Sequence, residues 1–173
     1  MVDARLIEAL EHLPATPFAG TVWRHMFNDI PPDRVNTRGA RWNPPGVAAI
    51  YASLERDTCI AEGQHAIDIQ PLRPVAKRVV YECHLEADDV VDLTGNGILD
   101  RLGLSDPDVE DDDFTACQAI GEAAAWLGLG GVIVPSARAA GGNIVILVDA
   151  NNRGPILEVI RYDVIFDPKR GAW

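Results

Sequence analysis

The sequence predicts an α+β fold, a mixed or antiparallel sheet flanked by helices, and two observations carry this prediction. Six segments have the β-branched and aromatic content of strands, and three longer ones have the apolar spacing of helices. Strands and helices do not alternate strictly, which disfavours a doubly wound parallel sheet. With 173 residues, 47% of them hydrophobic, the chain is long enough for one ordinary core.

Proline, glycine or a capping residue bounds each element predicted in the first half. Apolar residues recur with helical spacing as far as Leu13, just before Pro14, and β-formers are concentrated after Gly20. Ser53 is a good helix N-cap, and Pro71 is expected to end that helix. The predicted elements are a helix over 3–12, strands over 20–27 and 47–52, and a helix from 53 to about 69.

The second half contains one long helix and four shorter strands. The segment 88–113 is acidic and is predicted to be irregular, apart from a short helix near 98–102. The long helix, over 114–127, is closed by a glycine-rich segment that begins at Gly128. The strands are predicted over 75–85, 132–134, 143–149 and 157–166.

Residues 29–46 are predicted to form a long loop, because they include four prolines, two glycines and two asparagines. A loop of this length within a compact domain is usually functional. The region from Trp23 to Leu54 is also locally basic, with four arginines against two aspartates. These arginines are suited to binding a small anion, or alternatively form ordinary ion pairs on the surface.

Composition excludes several functions and points to a reducing compartment. The net charge of −11 argues against direct binding to nucleic acid. The three cysteines are widely spaced and form no Cys-x-x-Cys pair, so we expect reduced thiols. No apolar run is long enough to span a membrane, and the N-terminus lacks the apolar region of a secretory signal. We therefore expect a cytoplasmic protein that does not bind a membrane.

Familiar cofactor and metal motifs are not supported. The glycines from Gly128 to Gly131 follow a helix and precede a strand, the reverse of the order in a dinucleotide fingerprint. The four histidines have no metal-ligand spacing. Glu62 is more informative, because on a helical projection it lies at the rim of the apolar face beside Ala66. It is therefore placed either to point into a cleft or to form a helical ion pair with Arg56 or His65.

Taken together, the polar motifs resemble the RES domain, a family named for arginine, glutamate and serine positions. The resemblance rests on Arg-Trp-Asn-Pro-Pro-Gly from Arg41 to Gly46, on Tyr51-Ala52-Ser53-Leu54, on Ala61-Glu62 and on Pro135-Ser136-Ala137-Arg138 with Gly142-Asn143. It implies one RES domain over 1–173 with a compact fold similar to ADP-ribosyltransferases. It also implies a toxin of a bacterial toxin–antitoxin pair, whose partner is an Xre-type helix-turn-helix antitoxin.

The family resemblance further implies that NAD is the substrate, that no metal is needed and that the nicotinamide–ribose bond is cleaved. The matching positions give Arg24, Glu62 and Ser136 as catalytic residues, and Arg24, Arg41, Tyr51 and Asn143 as residues that bind NAD. Guanidinium groups suit the pyrophosphate, an aromatic ring suits nicotinamide, and a carboxylate suits the positive charge that develops on the ribose.

Two alternatives remain open from the sequence. In the first alternative, the enzyme transfers ADP-ribose to a cellular protein instead of degrading NAD. If it degrades NAD, the acceptor of the ADP-ribose group is either water or phosphate. Alternatively, the chain is a non-enzymatic binding module in which Arg24 and Arg41 form surface ion pairs.

Overall fold

The computed structural model describes residues 1–149 and 154–170, and its helices and strands follow each other in mixed order. The helices are α1 (Ala4–Glu11), α2 (Arg56–Asp68), α3 (Ile98–Arg101), α4 (Asp106–Glu110) and α5 (Thr115–Trp126). The strands are β1 (Ala15–Phe27), β2 (Ala49–Ser53), β3 (Arg78–Asp92), β4 (Gly131–Pro135), β5 (Gly142–Leu147) and β6 (Ile156–Phe166). The predicted α+β class is confirmed.

Five of the strands form a closed sheet in the order β1-β2-β5-β4-β3, because β3 pairs again with β1. All neighbours in this ring are antiparallel except β3 and β4, which run parallel. The β1–β3 ladder is long, running from Ala15–Val91 to Phe27–Arg78, whereas β1 and β2 meet at one pair, Trp23–Ser53. β6 lies outside the ring and pairs with the first part of β3.

The apolar run of β5 explains why this strand lies at the centre of the fold. Ile144 and Ile146 belong to one buried cluster, together with residues of β1, β2 and β3. The alternate residues Val145 and Leu147 belong to a second cluster, which includes Leu10 of α1 and Ile120 of α5. Successive side chains of a strand point to opposite faces, so a strand covered on both faces is apolar throughout.

Three predicted boundaries were wrong for physical reasons that the structure makes clear. β1 begins at Ala15, not Gly20, since Pro17 is accommodated at an irregularity of the β1–β3 register between Thr16 and Phe18. β3 continues to Asp92, past Asp89 with its positive φ of 52°. Ser53 remains in β2, and Glu55 is the N-cap residue of α2, although its side chain makes no capping hydrogen bond.

Helix α4 lies in the acidic segment that was predicted to be irregular. Both the backbone N–H and the hydroxyl of Ser105 donate to the Asp108 carboxylate, at 2.7 and 2.6 Å. This Ser-x-x-Asp arrangement resembles a capping box, and it is the signal by which the helix could have been found.

Candidate functional site

A cavity of about 210 Å³ opens between β1, β2 and α2, and Asn143 of β5 also lines it. We call this cavity the cleft. Four of the residues that the sequence singled out line it: Arg24, Tyr51, Glu62 and Asn143. They come from four different elements, so the closed sheet and α2 together bring distant parts of the chain to one place.

Glu62 on α2 is held by two side chains that both donate to the same carboxylate oxygen. The Ser136 hydroxyl donates to Oε1 at 2.6 Å, and the Asn143 amide donates to Oε1 at 2.8 Å. Within residues 1–149 and 154–170, no hydrogen bond engages Oε2 and no ion pair involves Glu62. The predicted alternative of a pair with Arg56 is wrong, because that arginine binds Asp163 at 3.4 Å.

Further hydrogen bonds fix the two groups that hold Glu62. Ser53 donates to the Asn143 Oδ1 at 2.8 Å, which turns the amide so that its nitrogen faces Glu62. The Ser136 oxygen accepts the backbone N–H groups of Arg138 and Ala139 at 3.0 and 3.1 Å. Ser136 lies beyond the lining of the cleft and reaches it through Glu62. Sequence reasoning assigned Ser53 to a helix cap and so missed this contact.

Arg24 contributes a positive charge to the wall of the cleft and also binds the backbone of the loop over 29–46. Its Nη1 donates to the carbonyl oxygens of Pro32 and Arg34. Burial lowers the pKa of Arg24 to about 10, so the guanidinium remains charged at neutral pH. No salt bridge to Arg24 is formed by the residues the structure describes. Its charge is therefore available to an anionic ligand.

Arg41 is not brought into the lining of the cleft. Its Nη1 donates to the Asp111 carbonyl oxygen at 2.6 Å, and its guanidinium lies 4.4 Å from the centre of the Phe114 ring. These contacts hold Arg41 beside the segment that joins α4 to α5. Like Arg24, it has no carboxylate partner at salt-bridge distance among the described residues.

Tyr51 connects the cleft to the Arg-Trp-Asn-Pro-Pro-Gly segment. Its hydroxyl donates to Asn43 Oδ1 at 2.7 Å and accepts the Trp42 N–H at 3.0 Å. Burial raises the pKa of the Tyr51 phenol far above its usual range. The hydroxyl is thus a fixed, neutral structural group, and the ring is the part of Tyr51 that a ligand in the cleft can contact.

His25 is a cleft residue that sequence reasoning missed. Its Nε2 accepts a hydrogen bond from Arg78 Nε at 3.0 Å, and its ring meets Phe27 edge-on at 4.9 Å. Burial and, secondarily, the charge of Arg78 lower the pKa of His25 to about 4, so it is neutral at pH 7. A Cβ at Gly63 would overlap the ring. The β1 pattern could have indicated His25 only if the position of α2 had been known.

The arrangement combines a positioned carboxylate, a charged guanidinium and aromatic rings in one partly open cavity. A carboxylate with one unengaged oxygen stabilises positive charge or accepts hydrogen bonds from hydroxyl groups. A guanidinium without a carboxylate partner binds phosphate groups well. The cleft therefore suits a ligand that carries both phosphate and a sugar or cationic ring.

The RES domain family model matches residues 11–166 of the chain. The chain belongs to the RES domain family. The glutamate and serine that the sequence resemblance assigned to the family's motif, Glu62 and Ser136, are joined by a hydrogen bond of 2.6 Å. The described part of the chain contains no helix long and apolar enough to cross a membrane.

Relatives of this RES domain protein include the NAD(+) phosphorylases MbcT of Mycobacterium tuberculosis and Mycobacterium bovis. Each is 36% identical over 110 residues, which cover 60% of this chain and 58% of the relative. The match therefore spans less than two thirds of these relatives. The fold is similar to a chain in the crystal structure of the M. tuberculosis MbcT–MbcA toxin–antitoxin complex, with a TM-score of 0.81 and 24% identity. That similarity covers 98% of this chain and 96% of the other.

Proposed function

We propose that this RES domain protein is the toxin of a toxin–antitoxin pair and that it cleaves the nicotinamide–ribose bond of NAD. The observation that carries the proposal is the Glu62 carboxylate, held at Oε1 by Ser136 and Asn143 in a cleft that also contains Arg24. Membership of the RES family and the similarity to an NAD(+) phosphorylase support the choice of NAD.

The proposed chemistry uses the leaving-group ability of a pyridinium. The C–N bond between nicotinamide and the ribose breaks, its electron pair passes to the ring nitrogen, and nicotinamide leaves as a neutral molecule. The ribose carbon gains positive charge as the bond lengthens, as in other glycoside cleavages. Glu62 stabilises this charge or holds the ribose hydroxyls through its unengaged oxygen, and Ser136 and Asn143 keep the carboxylate in place.

Three further residues are proposed to bind the nicotinamide and pyrophosphate groups of NAD. Arg24 is the candidate for the pyrophosphate, since it lines the cleft and has no carboxylate partner among the described residues. The ring of Tyr51 offers an aromatic surface to nicotinamide. Arg41 is proposed as a second phosphate ligand for the part of NAD that extends beyond the cavity, toward the α4–α5 segment where Arg41 is held.

Phosphate is the proposed acceptor, by analogy with the NAD(+) phosphorylase relatives. A phosphate oxygen then forms the new bond to the ribose carbon and yields ADP-ribose 1-phosphate. Transfer of ADP-ribose to a cellular protein is the competing outcome.

The proposed partner is an antitoxin of the Xre helix-turn-helix type, and we propose that it acts by covering the cleft. The structural similarity to a chain of a toxin–antitoxin complex agrees with such a partnership.

The decisive experiment compares purified wild-type protein with Glu62→Gln, in the presence and absence of phosphate. We expect Glu62→Gln to consume NAD at least ~100-fold more slowly, since the charge that stabilises the transition state is lost. Glu110→Gln, at an exposed carboxylate of α4, is the matched control and should retain wild-type activity.

Chromatography and mass spectrometry of the products then identify the acceptor. ADP-ribose 1-phosphate formed only with phosphate supports phosphorolysis, and free ADP-ribose indicates hydrolysis. A mass increase on a cellular protein indicates transfer. A wild-type rate in Glu62→Gln would remove Glu62 from the mechanism. Absence of any NAD-dependent product would favour the non-enzymatic module.

A further inference from the structure

β6 is a long edge strand that is rich in exposed apolar residues. It has 11 residues, and in the described part of the chain it pairs with β3 alone, so its other edge has no partner strand. It contains no lysine or proline, the residues that commonly block such an edge. An unpaired edge of this kind is a template for another strand.

The exposed apolar residues of the described chain are concentrated on this strand. Half of the twelve large exposed hydrophobic residues lie on β6, and they are Ile156, Val159, Ile160, Tyr162, Val164 and Phe166. Tyr162 is 61% exposed and Ile160 54% exposed. Isolated exposed apolar residues are ordinary on a monomer, but a contiguous set usually marks an interaction surface.

We propose that the free edge of β6 pairs with β6 of a second copy of this chain, in an antiparallel arrangement with a two-fold axis at Tyr162. In a two-fold antiparallel pair, residues opposite each other are equally distant from the axis in sequence. An axis at Tyr162 places Arg161 opposite Asp163 of the second copy, twice, and Ile160 opposite Val164, also twice.

The charges select this register over its neighbours. An axis at Arg161 or at Asp163 would place that charged residue opposite its own copy, which is unfavourable. An axis at Ile160 would place both charges opposite apolar residues, Val159 and Leu157. Among the axes at residues 160 to 163, the one at Tyr162 is the one that matches opposite charges across the new edge.

Tyr162 lies in a regular stretch of the β3–β6 ladder. This stretch runs from Arg161 to Val164, between two register shifts that fall after Val159 and before Phe166, and Ile160 lies at the first shift. Arg161 already binds Glu82 of β3, so Asp163 of the second copy would extend an existing row of charges. Tyr162 packs against Tyr81 with 5.7 Å between ring centres, and the two-fold axis would join two such pairs.

Sedimentation analysis of the purified protein between 1 and 100 µM, at about 0.15 M salt to screen the repulsion between two acidic chains, tests the association. We expect a monomer–dimer equilibrium that Ile160→Lys weakens at least tenfold. Leu72→Lys, at a residue that is 86% exposed outside β6, is the matched control and should leave the dimer intact. Circular dichroism shows whether each variant remains folded.

Charge reversal tests the register separately. Arg161→Asp and Asp163→Arg should each weaken the dimer, because they create like-charged pairs across the edge. Mixing the two variants should restore association, because a mixed pair has opposite charges at both positions while each chain keeps the intrachain change already present in its own sample. A protein that stays monomeric at 100 µM overturns the proposal, even if an antitoxin then binds this edge. A dimer that survives Ile160→Lys overturns it as well, and a mixture of the two charge variants that fails to associate overturns the Tyr162 register. None of these outcomes depends on whether the cleft acts on NAD.

Discussion

At the scale of single residues, the most informative contact joins Ser136 to Glu62. The sequence indicated both residues as candidates and placed Glu62 at the rim of the buried face of its helix. The structure adds that Ser136 donates a hydrogen bond to the Glu62 carboxylate and does not itself line the cleft. This relation could not be predicted, because it depends on how the turn after β4 approaches α2. Its catalytic role stays a prediction.

Ser136→Ala should therefore reduce the rate more than it reduces affinity. Loss of a hydrogen bond to a charged group costs about 1.5–3 kcal/mol, which corresponds to a kcat about 10–100-fold lower with a small change in KM. Steady-state kinetics of NAD consumption check this. Ser105→Ala is the control, because it removes a comparable hydrogen bond from a serine hydroxyl to a carboxylate, that of Asp108, but lies outside the cleft. Equal kinetics for the two variants would contradict a positioning role for Ser136.

His25 makes stability depend on pH in a defined direction. Its pKa is about 4 in the folded protein and near 6.5 when unfolded, so the unfolded chain gains a proton first as the pH falls. The contribution of His25 is complete above pH 6.5 and is lost progressively toward pH 4.

His25→Gln should remove this part of the acid sensitivity. We expect the variant to lose about 1 kcal/mol less free energy of unfolding between pH 7 and pH 5 than the wild type, allowing for the partial exposure of His25. Urea denaturation at the two pH values measures the difference. His12→Gln, at an exposed residue of the α1 C-cap, should follow the wild type. A His25→Gln variant with the same acid sensitivity as the wild type would show that His25 protonates freely in the folded state.

At the scale of elements, the sequence predicted the long helices and most strands but not how they meet. Periodicity located α1, α2, α5 and all six strands, since burial of one face or of both leaves a pattern. The pairing of β1 with β3 leaves no such pattern in the sequence, because it joins residues up to 76 positions apart, as between Ala15 and Val91. The position of the loop with Arg41 was likewise hidden, since it depends on contacts with α5.

One of those contacts makes Gly121 of α5 indispensable. A Cβ at this position would overlap the Trp42 carbonyl oxygen, which belongs to the backbone and has little freedom to move. Trp42 is only 2% exposed and the next residue, Asn43, is fully buried, so the loop is packed into the protein around that carbonyl. In addition, Gln118 of the same helix donates to the Ala40 carbonyl oxygen at 2.9 Å.

Gly121→Ala should therefore destabilise the fold, although the same change in a free helix stabilises it by up to about 1 kcal/mol. We expect a loss of about 1–3 kcal/mol from overpacking, measured by urea denaturation. Ala116→Gly, at an exposed position of α5, reports the propensity effect alone. A stabilised Gly121→Ala protein would mean that α5 and the loop are not in contact.

At the scale of the whole molecule, the cleft lies where the closed sheet is weakest. β1 and β2 meet at the single pair Trp23–Ser53, whereas β1 and β3 pair along almost their full length. Both residues of that pair line the cleft, and α2 lies across it. The amino-acid sequence could not predict this short contact between β1 and β2, because closure of the sheet is a property of all five strands together. A ligand bound here would bridge β1, β2 and α2.

NAD should consequently stabilise the entire fold and not only the loops around the cleft. In the Glu62→Gln protein, which is expected to turn NAD over slowly, NAD at 100 times its Kd should add about 2.7 kcal/mol. For a chain of this size that corresponds to a rise in Tm of roughly 5–10 °C. Thermal unfolding monitored by circular dichroism over a range of NAD concentrations measures the shift.

Arg24 decides whether that stabilisation arises in the cleft. Adding Arg24→Ala to Glu62→Gln should abolish the dependence of Tm on NAD, because the pyrophosphate loses its cationic ligand. Arg38→Ala is the matched control, since Arg38 is an exposed arginine of the same loop region and does not line the cleft. It should leave the shift unchanged. An equal loss in both variants would mean that general positive charge attracts NAD, and an undiminished shift without Arg24 would place the pyrophosphate elsewhere on the molecule.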